Sequence, residues 1–204
     1  MNQNEETLVQ ALHRGDRYAC NDLVEQYSSK IYHVALKLTG HPTEAEEILQ
    51  ETFINACKGA EKFEGRSSLG TWLYRIATNN GLMRLRKKQM PTVPLEMPVD
   101  REDQSSFWPR QLEDWAWDPE KITLTDELRQ AMDEAVETLP ENLRAVFVLR
   151  DLEGLSTKEA AEVLGISASN AKVRLHRARL MLREALAGYF HEQSNKGANQ
   201  YEYA

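Results

Sequence analysis

The segment Leu155-Ser-Thr-Lys-Glu-Ala-Ala-Glu-Val-Leu-Gly-Ile-Ser-Ala-Ser-Asn-Ala-Lys-Val-Arg-Leu-His-Arg-Ala-Arg179 decides the fold. It reads as a short helix, a tight turn and a basic second helix, the layout of a helix-turn-helix. Ser156 is placed to cap the first helix, and Glu159 three residues on completes a capping box. Ala160, Ala161 and Leu164 are small or apolar enough for close packing, and Ile166 plugs the corner. Gly165 supplies the one residue type that adopts a left-handed conformation at low cost. Ser167 then caps a helix whose inner stripe is Ala171, Leu175, Ala178 and Leu182, at helical spacing. Its outward face is Lys172, Arg174, Arg177, Arg179 and Arg183, with no carboxylate before Glu184. Such a face can neutralise phosphates while the first turn reaches base edges. The plainer alternative is a solvated charged face on a helical bundle; the completeness of the pattern favours the DNA-reading motif.

Composition sets outer bounds. The 204 residues, 41% of them hydrophobic, suffice for one or two small domains with their own cores. No apolar run approaches the length of a membrane span, and the start Met1-Asn-Gln-Asn-Glu-Glu6 has no apolar signal core. Cys20 and Cys57 lie in helical patterns, so two buried, reduced thiols in a cytoplasmic protein are expected, with a disulfide left open. The net charge of −7 is unusual for a DNA binder, but its distribution resolves the conflict. Residues 91–120 hold 8 acidic and 2 basic groups, so nearly the whole deficit sits there. Basic residues cluster instead at Arg84–Lys88 and Lys172–Arg183. Affinity of this chain alone for DNA is therefore expected to be weak.

Along the chain, two helical domains flank an acidic connection, giving an all-α fold. Residues 1–90 form the first domain, 91–122 the linker, 123–187 the second domain and 188–204 a tail expected to fray. In the first domain, Ala19, Leu23, Tyr27, Ile31, Val34, Ala35 and Leu38 mark one helix face. Gly40-His41-Pro42 ends that helix, and Thr43 is expected to cap the next, which runs to about Gly59. A third long helix carries Leu69, Trp72, Leu73, Ile76 and Ala77 inward and ends in Arg84, Arg86, Lys87 and Lys88. Cations there suit the helix dipole whatever else they do. The linker is rich in proline and acids and contains Trp108, Trp115 and Trp117. In the second domain, Leu128, Ala131, Met132, Ala135 and Leu139 form a stripe, and Pro140 opens a helix with Val146, Phe147, Leu149 and Leu152.

No catalytic constellation emerges: there is no phosphate-binding glycine loop, nucleophile motif or His/Cys cluster at metal-ligand spacing. No cofactor or metal is expected. Glu46, Glu47, Gln50 and Glu51 form an acidic patch on the second helix, readable as a solvated face or as a contact for a basic partner helix.

Taken together, the motifs resemble those of a bacterial extracytoplasmic-function (ECF) sigma factor. Glu44-Ala-Glu-Glu-Ile-Leu-Gln-Glu-Thr-Phe53 is similar to the family's polymerase-binding helix, and Phe63-Glu-Gly-Arg-Ser-Ser-Leu-Gly-Thr-Trp-Leu-Tyr-Arg-Ile-Ala-Thr-Asn79 to its promoter-melting segment. Leu139-Pro-Glu-Asn-Leu-Arg-Ala-Val-Phe147 and the helix-turn-helix are similar to its DNA-binding region. The resemblance covers about residues 8–90 and 123–187.

It implies a transcription initiation factor, not an enzyme, that binds core RNA polymerase and promoter DNA under the control of an anti-sigma protein. Glu46, Glu47, Gln50 and Glu51 would face the basic coiled coil of the polymerase's largest subunit. Phe63, Arg66, Ser67 and Asn79 would handle an unstacked base of the −10 element, and Arg84, Arg86, Lys87 and Lys88 the backbone around it. Ser169, Asn170, Lys172 and Val173 would read the −35 element, while Arg174, Arg177 and Arg179 hold phosphates. Glu64, Met83, Gly70 and Gly81 depart from the family's usual residues, and Gly81 is expected to weaken its helix by about 1 kcal/mol against alanine. The competing reading is a free-standing helix-turn-helix regulator that binds operator DNA without polymerase.

Overall fold

The computed structural model describes residues 3–89 and 126–200, and every regular element among them is helical. The expected linker and its three tryptophans lie outside the described residues, as do the last four residues of the tail.

A short helix precedes the elements read from the sequence. Helix α1 (Gln3–His13) buries Leu8, Val9 and Leu12 against the first domain. Helix α2 (Arg17–Thr39) starts at Asp16, whose side chain accepts the Tyr18 N–H at 2.9 Å, and stops at Gly40, at φ +71°. The Gly40 N–H returns to the Leu36 carbonyl, a left-handed cap that satisfies an end carbonyl. Helix α3 (Pro42–Gly59) opens two residues earlier than expected. Pro42 takes the first turn, where its missing N–H costs nothing, and His41, not Thr43, is the capping position. A single 3-10 turn (Ala60–Lys62) leads into the loop before α4 (Leu69–Gln89).

Helices α2, α3 and α4 pack as a three-helix unit around Leu23, Ile31, Val34, Leu38, Ile48, Leu69 and Leu73, all fully buried. Gly81 explains itself here. A Cβ at that position would lie 3.3 Å from Leu38 Cδ1 and 3.7 Å from Ile48 Cδ1, so the missing side chain lets α4 approach α2 and α3 closely. The helix-weakening cost expected from sequence is offset by that approach. The thiol expectation is also corrected: Cys20 of α2 and Cys57 of α3 are joined in a disulfide, with Cα atoms 5.9 Å apart. The pairing of α2 with α3 brings the start of one helix beside the end of the other.

The second unit comprises α5 (Asp126–Thr138), α6 (Glu141–Phe147), a π-helical turn (Val148–Leu152), α7 (Thr157–Leu164) and α8 (Ala168–Gln200). Pro140 is the residue before α6 rather than its first. The expected capping box is present: Ser156 Oγ accepts the Glu159 N–H at 3.2 Å and Glu159 Oε2 accepts the Ser156 N–H at 2.8 Å. Gly165 takes the left-handed conformation, at φ +65°. Ser167 Oγ accepts the Asn170 N–H at 3.2 Å and starts α8, where Ala171 is buried and Leu175, Ala178 and Leu182 share a buried cluster with Val146 and Phe147. The tail departs from its reading, because the α8 backbone continues as helix to Gln200. The residues just beyond Leu182, Arg-Glu-Ala-Leu-Ala187, are strong helix formers that propagate the helix past the packed stripe.

The two units pack on each other rather than standing apart. Ala145, Val148, Leu149, Leu155, Ala160 and Val163 of the second join the same buried cluster as the first-domain core.

The capping box yields a stability prediction. Hydrogen bonding to Ser156 holds the Glu159 carboxyl below its ordinary value of 4.5. A depressed carboxylate stabilises the fold above its unfolded value, and that contribution is lost as pH falls through the folded one. Ser156→Ala is therefore expected to cost about 1 kcal/mol in urea unfolding at pH 7. The difference from wild type should shrink below about pH 4.

Candidate functional site

The first turn of α8 offers the surface expected of a base reader. Ser169, Asn170, Lys172 and Val173 are all exposed, and Val173 presents an apolar side chain to solvent on an otherwise polar face. The capping bond from Ser167 and the buried Ala171 fix this turn from below. Arg177 is exposed and makes no ion pair among the described residues. Arg174 is partly buried, and that burial lowers its pKa.

Arg179, expected to hold phosphate, is paired within the chain. Its Nε and Nη2 each donate to the Asp151 carboxylate at 2.9 Å, a two-pronged pair that ties α8 to the π-helical turn. The Asp151 side chain is 7% exposed, so this bond compensates a nearly buried charge. Sequence spacing put Arg179 on the basic face, but no local signal reveals a partner 28 residues upstream.

The loop expected to hold an unstacked base forms one wall of an open cleft of about 330 Å³. Lys62, Phe63, Glu64, Arg66, Ser67 and Trp72 line it, with Arg75 of α4 and Glu162 of α7 at its edge. Phe63 is buried and packs on the half-buried Trp72 ring, centroids 5.0 Å apart, so it shapes the floor instead of standing free to stack. The carbonyl of Phe63 meets the His13 Nε2 at 2.8 Å, which fastens the loop to α1. Arg66 pairs with Glu64 in the loop, both strongly exposed. Ser67 lies at the rim and Asn79 is exposed farther along α4. Arg75 is a cleft residue that sequence reading missed; its helical spacing from Trp72 was the available signal.

The acidic patch expected to meet polymerase and the basic end of α4 form one surface. Arg84 donates to both Glu47 and Glu51, and Lys88 pairs with Glu44. The hydrogen bond to Glu47 leads the causes that raise the Arg84 pKa. Two residues expected on DNA thus clamp α4 to α3, while Arg86 and Lys87 remain exposed without an ion pair among the described residues. Glu46 and Gln50 are exposed one helical turn apart beside the clamp. The half-exposed Ile54 continues the same face, an apolar contact the sequence reading did not single out.

Two helical units, one a helix-turn-helix with an exposed first turn, the other carrying an acidic face and a polar cleft, have the arrangement of a promoter-recognition protein. Family comparison is specific. Residues 23–90 match sigma-70 region 2 and residues 129–182 match sigma-70 region 4. The chain is 34% identical over 178 residues to the ECF RNA polymerase sigma factor SigW of Bacillus subtilis, covering 87% of this chain and 94% of that protein. It is 32% identical to the RNA polymerase sigma-H factor of Pseudomonas aeruginosa, covering 90% and 94%. Against the ECF sigma-E factor of Escherichia coli it is also 32% identical, covering 86% and 90%. In fold it is similar to CnrH, solved in complex with the cytosolic domain of CnrY, at a TM-score of 0.63 and 21% identity over 90% of this chain and 97% of that one. The sigma factor RpoE of Bartonella quintana, solved with the anti-sigma factor NepR, gives 0.58 and 23% over 82% and 96%.

The chain belongs to the ECF sigma factors, the initiation factors that bind core RNA polymerase and direct it to promoters. No helix among the described residues is long and apolar enough to cross a membrane.

The two arginines on α8 should separate cleanly. Arg179→Ala is expected to destabilise the second domain by about 2 kcal/mol, because Asp151 loses its partner. Arg177→Ala should leave the unfolding midpoint within experimental error. It should instead lower the dependence of promoter binding on salt by about one counterion, read as the slope of log affinity against log salt with holoenzyme.

Proposed function

We propose that the two surfaces divide promoter reading between them. The exposed turn of α8 enters the major groove of the −35 element, where Ser169, Asn170 and Lys172 meet base edges and Val173 meets a thymine methyl group. Arg174 and Arg177 hold flanking phosphates. The cleft of Phe63, Arg66 and Ser67 takes a base displaced from the −10 element, with Asn79, Arg86 and Lys87 near the backbone. Melting is driven by tighter binding of the open form than of the duplex, so it needs no nucleotide hydrolysis by this chain. Glu46 and Gln50, with the Arg84-buttressed pair Glu47 and Glu51, dock on a basic coiled coil of the polymerase. The protein acts in the cytoplasm, and an anti-sigma protein holds it inactive; the solved complexes of CnrH and RpoE with CnrY and NepR support that regulation. The observation that carries the reading is the exposed first turn of α8, fixed by Ser167 and sealed below by Ala171 and Leu175.

Run-off transcription with purified core polymerase over a promoter library tests it. Wild type should give promoter-specific transcripts only with core present. Asn170→Ala should lose about tenfold at one −35 position and relax the base preference there. Glu46→Lys/Gln50→Lys should lower output at all promoters alike by weakening core binding. Operator-like DNA binding without core, and no transcript with it, would overturn the reading in favour of a free-standing regulator.

A further inference from the structure

The loop that forms the cleft is held at both ends by α1, a helix that lies ahead of the residues matching sigma-70 region 2. At the start of the loop, His13 Nε2 faces a carbonyl oxygen that can only accept, and donates to Phe63 at 2.8 Å. At its far end the Leu69 N–H, the first of α4, donates to the Glu5 carboxylate. A carboxylate there satisfies an N–H that α4 cannot bond itself, and it suits the positive end of the helix. Ser68 Oγ accepts the Thr71 N–H at 3.1 Å, so the first turn of α4 is capped by its own chain and by α1 together.

The sequence of α1 suits this double hold. Glu5, Leu8, Val9, Leu12 and His13 recur at the spacing of one helix face. Leu8, Val9 and Leu12 are buried in the first-domain core, so the middle of the stripe anchors α1 while its two polar ends reach the loop. Glu5 and His13 stand ~12 Å apart along the helix axis. That length bridges the two ends of a loop whose middle is exposed. Glu64, Gly65 and Arg66 face solvent, and Gly65 takes a left-handed conformation at φ +68°. Neither Glu5 nor His13 lines the cleft, so their influence on it passes through the loop.

We propose, resting on the reading of this cleft as the −10 base site, that Glu5 and His13 are positioning residues for promoter melting: α1 holds the ends of the 63–69 loop at the separation that admits a displaced base. Neither side chain touches the base. A loop ordered before binding loses less freedom when the base enters, so the hold adds affinity for the open strand alone. The acidic face of α3 and the exposed turn of α8 play no part in it.

Holoenzyme assembled from the full-length chain and core polymerase tests it. The probe is a fluorescent single-stranded oligonucleotide carrying the −10 strand of a promoter that wild type transcribes. Glu5→Ala and His13→Ala should each weaken binding of that strand by about three- to tenfold, the loss expected of one hydrogen bond. Glu5→Gln keeps an acceptor oxygen and His13→Gln a donor N–H, so each should restore most of the wild-type affinity. Glu5→Asp keeps the charge but withdraws it by one methylene, and should behave as Glu5→Ala. An abasic site placed in turn at each −10 position separates positioning from mere stability. Where the displaced base is missing, wild type and the alanine variants should bind alike. Affinity for core polymerase and for −35 duplex should not change, and circular dichroism melts establish that each variant is folded. A folded alanine variant that binds the strand as tightly as wild type overturns the proposal, as does a loss that persists undiminished without the displaced base. If an alanine variant does not fold, the contrast between Glu5→Gln and Glu5→Asp decides alone, and equal affinities overturn the proposal. A wild-type holoenzyme that transcribes but gains nothing from any −10 base removes the cleft reading and this proposal with it. One that transcribes from no promoter counts instead against the initiation role itself.

Discussion

The structure depends on one apolar run, Ala145-Val-Phe-Val-Leu149, which is buried on two sides. Val146 and Phe147 face α8 and hold the helix-turn-helix together. Ala145, Val148 and Leu149 face the first domain. The π-helical turn at Val148–Leu152 falls within this run, and widening a helix by one residue per turn changes which side chains share a face. A run that serves two cores cannot be moved for one without disturbing the other, which is why the domains meet in a single orientation. Each fully buried leucine or valine contributes roughly 1.5–3 kcal/mol over its exposed state. Parting the domains therefore exposes Val148, Leu149, Leu155, Ala160 and Val163 at an appreciable cost.

Charge is arranged on the same logic, with most pairs spent on holding elements in place. Arg84 bridges Glu47 and Glu51, Lys88 meets Glu44, and Arg179 neutralises Asp151. The exposed bridges are individually weak. The Arg84 pair matters for position more than for stability, because it fixes two carboxylates on the face proposed to dock polymerase. A polymerase cation approaching Glu47 competes with a guanidinium already there. Glu46 and Gln50 carry no such partner among the described residues and offer the more open contact.

Much of this was legible locally. Capping signals at Ser156, Glu159 and Gly165 are short-range, and they placed α7 and the turn correctly because no distant contact overrides them. The inner stripe of α8 was equally clear from its period. What sequence did not show was always long-range. Gly81 reads as a weakened helix until Leu38 and Ile48 are seen against it. The carboxylate partners of Arg84 and Arg179 lie on other elements, and a basic face looks alike whether or not such a partner stands opposite it. Cys20 and Cys57 carry no spacing signature, so only the side-by-side packing of α2 and α3 pairs them. Helix α1 was missed because Leu8, Val9 and Leu12 make only one turn of apolar pattern, too short to stand out from an acidic N-terminus.

The distribution of cations bears on the proposed dependence of promoter binding on polymerase. With Arg84, Lys88 and Arg179 paired to carboxylates, the exposed cations near the two candidate DNA surfaces without an ion pair among the described residues are Lys62, Arg86 and Lys87 on one side and Lys172, Arg177 and Arg183 on the other, with Arg66 paired to Glu64 and Arg174 half-buried. Each phosphate neutralised contributes about one unit to the salt slope, so neither domain alone commands the six to ten contacts of a strong free-standing binder. The net charge of −7 opposes approach to DNA as well. Binding becomes tight only when both domains engage one promoter, each raising the effective concentration of the other. That requires the domains to be held apart at the spacing of the two elements. On the proposed reading, docking on polymerase is what holds the two domains at the spacing of the two elements.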